Sequence, residues 1–326
     1  MSTLLPEAQR DDLVARLNAW FVDAARPLPW RSPDTTPWGI FLSEVMSQQT
    51  PVARVAPIWQ EWLERWPTPS DLAAAAPGEA VRHWGRLGYP RRALRLHDAA
   101  VTMVERHGGE VPSTHDDLLA LPGVGEYTAA AVASFAFGER VTVIDTNIRR
   151  VEARTVTGVE FPRPNLSAAE RRLAALLLPQ DDHVLWNAAS MEFGAVVCTA
   201  KAPACGTCPI IDACAWQLAG APVYDGPARR GQAWAGTDRM VRGKLLAVLR
   251  EAHGPVERAR LDEAWDDDAQ RERCLSSLIE DGLVDPLDDE LFALPGHRWA
   301  TPSDDDVARV SGRGRPETRA TSSVGQ

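Results

Sequence analysis

The stretch from Leu118 to Val151, LLALPGVGEYTAAAVASFAFGERVTVIDTNIRRV, leaves a chain few ways to fold. Pro122-Gly123-Val124-Gly125 separates an apolar helix end from the Ala-rich helical run Glu126 to Phe135. Two helices are therefore joined by a tight hairpin whose glycines permit positive φ. A hairpin of this kind turns backbone N–H groups toward one spot, and the free N-terminus of the second helix adds amide donors and the positive end of its dipole. A phosphate suits that spot. After Gly138 a short apolar approach, Val141 to Ile144, leads to Asp145, a carboxylate placed to open the next helix, Thr146 to Val156. Alone, LPGVG is a helical turn and Asp145 a helix cap, a task Asp performs well. Arg149, Arg150 and Arg154 follow at once, and that cluster points to a phosphate-binding surface.

Composition narrows the partner. The 326 residues, 44% hydrophobic, can build two domains or more with real cores. A net charge of −10 argues, for the chain as a whole, against a nucleic-acid binder. The part up to Gly236 holds 22 basic and 26 acidic residues and the remainder 13 and 19, so any DNA surface is a local patch. Arg86, Arg91, Arg92 and Arg95 form one candidate, and Arg149, Arg150 and Arg154 the other. No run approaches a membrane span and MSTLLPEAQRDD is no signal peptide, so a cytoplasmic protein is expected.

The hydrophobic pattern reads as helices in close succession. Residues 11 to 24 form an amphipathic first helix, followed by LPWR, Leu28 to Arg31. Trp38 to Gln49 carries Glu44 inside FLSEVMSQQT, where Leu42, Val45 and Met46 flank the carboxylate. Partial desolvation there raises its pKa toward the range useful for acid-base chemistry. Helices at Val52 to Trp66, Pro77 to Trp84 and Arg91 to Arg106 come next, with GRLGYPRRA between the last two. Ser167 to Glu170 is a capping box that opens a helix to Leu178, and Asp182 to Val197 is a further helix. With short connections and no convincing strands, this part reads as all-α and two-lobed.

Four of the five cysteines, Cys198, Cys205, Cys208 and Cys214, lie in one short segment with the spacing C-x6-C-x2-C-x5-C. In a cytoplasmic protein they read as metal ligands rather than disulfides. Four thiolates suit zinc or a 4Fe-4S cluster on chemistry alone. Cys274 reads as a buried small hydrophobe.

Taken together, LPWR, EVMSQQT, LGY, LPGVG, DTN and the cysteine spacing resemble the MutY-type adenine DNA glycosylases, within the helix-hairpin-helix, iron-sulfur glycosylase superfamily. The resemblance runs over roughly residues 10–220, with the motifs in the family's order. It implies that Glu44 protonates adenine and that Asp145 stabilises the oxocarbenium or attacks the sugar, with Tyr127 and Asn147 beside it. It implies that Arg26, Trp30, Arg31, Tyr89 and Glu192 line or support the adenine pocket, that Gln49, Thr50 and Leu87 probe the opposite base, and that Gly123, Val124 and Gly125 bind the DNA backbone. The four cysteines then hold one 4Fe-4S cluster, a structural group that presents Lys201 and its loop to phosphate. The expected partner is double-stranded DNA containing a mispaired adenine, bound by a monomer.

The chemistry fits independently. A flipped base is cleaved from its sugar through an oxocarbenium-like state, which needs one protonated acid and one ionised carboxylate. Bifunctional members of the superfamily place a lysine just after the hairpin; here that position is Tyr127, so a monofunctional enzyme is expected. Ser47 stands for the family's usual Leu, Pro90 for a second Tyr and Thr146 for the Gly of DGN, so pocket shape departs from the family pattern. Other members usually carry a larger Nudix-type domain that reads 8-oxoguanine. Residues 240–297 here read as three short helices and a hairpin, a small winged-helix-like unit suited to protein docking, packing or DNA contact. The expected layout is a glycosylase core over 1–219, a linker over 220–239, that unit over 240–297 and a disordered tail over 298–326. Two other functions compete: a glycosylase for another mispaired base, such as T opposite G, and a non-catalytic iron-sulfur DNA-binding protein.

Overall fold

In the computed structural model, which describes residues 5–226, 235–287 and 290–296, the helix that carries Glu44 is buried along nearly its whole length. This helix, α2 (Pro37–Ser47), follows α1 (Glu7–Ala24) and starts where Thr36 accepts a 3.2 Å hydrogen bond from the Gly39 amide. Pro37 favours the start because its missing N–H would be an orphan there anyway. Around α2 pack α3 (Val52–Arg65), α4 (Pro69–Ala74), α5 (Pro77–His83), α6 (Arg91–His107), α7 (His115–Leu119) and α8 (Glu126–Phe137). Tryptophans dominate this lobe, and three buried indoles donate to carbonyls of neighbouring segments: Trp38 bonds Trp66 O at 2.9 Å, Trp59 bonds Gly39 O at 2.7 Å and Trp62 bonds His83 O at 2.9 Å. An indole N–H without a partner would cost the desolvation of a donor, so these pairings fix the register between α2, α3 and α5.

The second lobe brings α1 together with α9 (Thr146–Glu152), α10 (Ala168–Leu177) and α11 (His183–Val196) around Leu17, Val151, Leu177, Trp186 and Phe193. The cysteine segment and α12 (Ala215–Leu218) close its end. Helix α9 is shorter than its pattern suggests: after Glu152 the chain widens into a single π-turn, Ala153–Thr157, which Gly158 ends at φ 72°.

Beyond the second lobe lie α13 (Asp238–Glu251), α14 (Arg258–Asp262) and α15 (Asp268–Glu280). Strands β1 (Val256–Glu257), β2 (Asp285–Pro286) and β3 (Leu291–Ala293) form an antiparallel sheet in the order β1-β3-β2, with Val256 opposite Phe292 and Asp285 opposite Ala293. Three helices and a hairpin were expected; β1 adds a third strand. This unit shares the first lobe's core, since Leu245, Leu249, Leu261 and Leu275 pack in the same apolar cluster as the tryptophans. Two arginines cross the seam in opposite directions. Arg82 donates to the carbonyls of Leu249, Arg250 and Ala252, and Arg250 donates to Val81 O at 2.8 Å and Gly85 O at 2.7 Å. The expected linker lies partly, and the expected tail wholly, outside the described residues.

Candidate active site

A cleft of about 1160 Å³ opens between the two lobes, and Glu44, Tyr127, Asp145, Asn147 and Glu192 all face it. Glu44 comes from the buried α2 and is only 8% exposed, because the apolar residues around it seat its own turn of helix in the core. Tyr127, in the first turn of α8, donates to Glu44 Oε2 at 2.7 Å and lies 3.8 Å from the sulfur of Met191. Burial pushes Glu44 up to about 7; the Tyr127 hydrogen bond works against that shift and the charge of Asp145 adds to it.

Asp145 caps α9 and accepts from the Ile148 amide at 2.6 Å and from Asn147 Nδ2 at 2.7 Å. Burial raises its pKa, while those donors and Arg150 favour the ionised form. Two neighbouring buried carboxyls do not readily share two negative charges. Glu44, with one hydrogen bond from a neutral phenol, is the one that keeps the proton. Asp145, with two N–H donors, is the one that gives it up.

Glu192 on α11 is 2% exposed and holds two arginines from the connection between α1 and α2. Arg26 reaches it at 2.5 and 2.8 Å and Arg31 at 3.0 Å, and the Arg31 guanidinium lies 5.0 Å from the Phe21 ring. Burial alone would raise the Glu192 pKa, but the hydrogen bonds and charges of Arg26 and Arg31 hold it below the ordinary carboxylate value. This clamp fastens the connection between α1 and α2 to α11 at the wall of the cleft. Trp30 and Ser47 also line it, so Ser47 does stand in the pocket wall.

The residues expected to probe the opposite base gather at the end of α2. Gln49 is exposed and adopts φ 55°, a left-handed conformation that breaks the helix. Thr50 lines the cleft and donates to Leu87 O at 2.9 Å. Leu87 itself is 2% exposed, its side chain turned into the core. Tyr89, expected at the adenine pocket, does not line the cleft. It stands 42% exposed in the Leu87 loop at φ 47°, because Pro90 opens α6 right after it and Gly88 at φ 80° turns the loop outward.

Arg92 organises both loops. Its guanidinium donates to Gln48 O at 2.7 Å, Val45 O at 3.0 Å, Gly88 O at 3.0 Å and Thr50 Oγ1 at 2.9 Å, and lies 5.0 Å from the Trp84 ring. Sequence reasoning grouped Arg92 with surface charges; half-buried, it instead satisfies the orphan carbonyls at the C-terminus of α2. Met191 was missed as well.

The hairpin behaves as expected at Gly123, which adopts φ 75°, where a Cβ would sit 2.6 Å from Arg95 Cβ. Gly125 is extended rather than left-handed, since it caps α8. Val124 packs half-buried against the core, and none of the three faces the cleft.

The second arginine cluster is not a phosphate surface. Arg150 and Arg154 are 7% and 1% exposed, and Arg149 is bound to Glu170 at 2.7 Å. Arg150 donates to Gly194 O at 2.6 Å, Cys198 O at 2.8 Å and Asn147 Oδ1 at 2.8 Å. Arg154 donates to Thr199 O at 2.8 Å and Glu160 O at 3.0 Å, and its Nη1 lies 3.4 Å from Cys198 Sγ. They satisfy the carbonyls where α11 ends and the cysteine loop begins. Cys198, Cys205, Cys208 and Cys214 line one apolar hollow with Phe193, Ile210 and Trp216, and Gln217 Nε2 lies 3.2 Å from Cys205 Sγ. Lys201 is exposed on the same loop and Cys274 is buried elsewhere.

The model of the HhH-GPD superfamily of base excision DNA repair proteins matches residues 42–172, the span that contains Glu44, the hairpin and Asp145. An adenine DNA glycosylase of Mycobacterium tuberculosis is 52% identical over 282 residues, covering 86% of this chain and 92% of that protein. The chain belongs to the adenine DNA glycosylases. Among solved structures, this glycosylase is similar to a thermostable thymine-DNA glycosylase (TM-score 0.60, 27% identity, 65% of this chain and 98% of that one). It is also similar to endonuclease III in a non-covalent complex with DNA (TM-score 0.57, 26% identity, 66% and 98%). Both likenesses cover about the length of the two lobes.

Proposed function

We propose that this glycosylase hydrolyses the N-glycosidic bond of adenine mispaired with 8-oxoguanine or guanine in double-stranded DNA and leaves the strand intact. The observation that carries the reading is the pair of carboxyls facing one cleft, with Glu44 raised to about 7 and Asp145 held by two N–H donors. Glu44 gives its proton to N7 of the flipped adenine, which turns a poor leaving group into a neutral one. As the bond to C1′ breaks, the Asp145 carboxylate faces the cationic sugar. Water then adds to C1′, and the carboxylate left on Glu44 is the base that takes its proton. The Arg26–Glu192–Arg31 clamp holds the pocket, and Gln49, Thr50 and the Leu87 loop face the opposite base. Binding is by a monomer in the cytoplasm, at chromosomal DNA.

Four cysteines around one hollow, with guanidinium and amide donors beside their sulfurs, fit a 4Fe-4S cluster: the sulfurs would supply the ligands, Arg154 sets a positive charge beside Cys198 and Gln217 donates a neutral N–H to Cys205. The cluster, when bound, fastens the end of the second lobe; the excision steps run through the carboxyls alone. Single-turnover assays on duplexes carrying A·8-oxoG, A·G, T·G and thymine glycol test the reading. Release of adenine from the first two and no release from the others is expected. Faster release of thymine from T·G than of adenine from A·8-oxoG would overturn it.

A further inference from the structure

The unit formed by α13 to α15 has no role in the reading above, yet it touches the exposed loop that reading turns toward DNA. Arg239, exposed in the first turn of α13, places its guanidinium carbon 4.5 Å from the centroid of the Tyr89 ring. Arg92 approaches the same ring at 5.7 Å. Tyr89 remains 42% exposed with both arginines in place, so part of the ring still faces solvent.

The neighbouring charges extend this feature into a strip. Arg91 and Arg95 stand one turn apart on α6, both exposed, and the stem of Arg95 lies against Gly123 of the hairpin. Exposed Arg86 precedes the loop. Basic side chains thus run from the hairpin along α6 to Tyr89 and on to α13. Two carboxylates on the α13 side are already engaged: Asp281 with Arg242 at 2.5 Å and Arg91 at 3.1 Å, and Asp238 with Arg273 at 2.9 Å.

We propose that Arg239 and Tyr89 form one DNA-contacting unit, in which α13 supplies a backbone-phosphate contact beside the aromatic wedge and steadies the ring. The assignment rests on duplex DNA being the substrate. An exposed aromatic flanked by arginine is the arrangement that unstacks a base step while holding the adjacent phosphate. Arg239 acts on the reaction through binding and is a positioning residue.

Fluorescence anisotropy of labelled A·8-oxoG and fully paired duplexes, over a salt series, tests this on the full chain. Arg239→Ala should weaken binding to both duplexes by about tenfold and lower the salt slope by about one. The loss should fall on Kd rather than on the excision rate at saturating enzyme. Combined with Tyr89→Ala, its effect should be clearly less than additive, because the two groups act together. Arg260→Ala removes an exposed charge from the same unit away from the loop and should leave the slope alone. If Arg239→Ala does not fold, Arg239→Lys and Arg239→Gln are compared: a slope kept by Lys and lost by Gln supports the proposal, and equal slopes overturn it. Unchanged affinity and slope in Arg239→Ala, full additivity with Tyr89→Ala, or an equal loss in Arg260→Ala would also overturn it. A wild-type chain that binds neither duplex would instead remove the DNA reading itself.

Discussion

The phenol of Tyr127 donates a 2.7 Å hydrogen bond to Oε2 of Glu44, and this contact joins the helix that follows the hairpin to the helix that carries the acid. Burial pushes the Tyr127 pKa well above 10, so its proton stays on the phenol and the bond has one direction at any working pH. It holds the Glu44 carboxyl in the cleft and limits how far burial can raise its pKa.

Replacing Glu44 by Gln should lower adenine excision by at least about 100-fold, since an amide cannot donate the proton, while mismatched-duplex binding persists. In the wild type, the single-turnover rate should fall as pH rises through about 7, where the acid loses its proton. Stability should move the same way. An unfolded Glu ionises near 4.5 and the folded one near 7, so folding loses free energy as pH climbs between those values. At pH 8 the Gln variant should therefore melt above wild type. Excision within tenfold of wild type would remove Glu44 from the mechanism.

Glu152, on α9 beyond Asp145, is 3% exposed and burial pushes it up to about 8, with the charges of Glu170 and Asp145 adding to the shift. The sign is the same: its folded form is favoured at low pH and loses stability as pH rises from its ordinary value through about 8. Glu152→Gln should raise the melting temperature at pH 8.5 and change it little at pH 4.5. An equal gain at both pH values would mean packing, not ionisation, is responsible.

Arg154→Ala should cost about 3 kcal/mol of stability or more, because it strips donors from several buried carbonyls and opens a void beside Trp216. The cysteine loop is what it holds, so iron content should fall with it. Wild type should carry about four irons per chain, and zinc in place of iron in anaerobically prepared protein would contradict the cluster.

The contrast between Glu44 and Arg154 shows what a sequence can carry. Glu44 was legible because its apolar neighbours lie within the same helix, so desolvation could be inferred locally. Asp145 was legible because a cap acts within three residues of itself. Arg150 and Arg154 were misread as phosphate ligands because their acceptors, around Gly194 to Ala200, lie some forty residues along the chain. A charge in a sequence shows its sign but not its partners. Tyr89, expected to line or support the adenine pocket, lies outside the cleft lining for a related reason: the left-handed backbone at Gly88 and Tyr89 decides which way the ring points. Helix α4 could have been found, since Thr68 and Asp71 form a complete capping box in TPSD. The seam between the first lobe and α13 to α15 had no local signal, because Arg82 and Arg250 exchange hydrogen bonds with carbonyls far away in the chain.

The fate of the sugar after adenine leaves depends on which amines are within reach. A lyase attacks C1′ with a neutral amine and cuts the strand through a Schiff base, so it needs a lysine or a free amino terminus beside the sugar. The chain has two lysines, Lys201 and Lys244. Lys201 is on the cysteine loop and Lys244 lies 4.6 Å from the Trp265 ring, and neither lines the cleft. The position after the hairpin holds Tyr127, a phenol that burial keeps protonated and that cannot form an imine. Arg26 and Arg31 of the cleft are bound to Glu192. The product should therefore be an intact abasic strand that breaks only in hot alkali, and borohydride should trap no covalent complex. Tyr127→Lys would place an amine beside Glu44 in the cleft. That variant should show borohydride trapping and some β-elimination. Trapping of the wild type at the rate of base release would show that some other amine reaches the sugar, and would place this enzyme among the lyases.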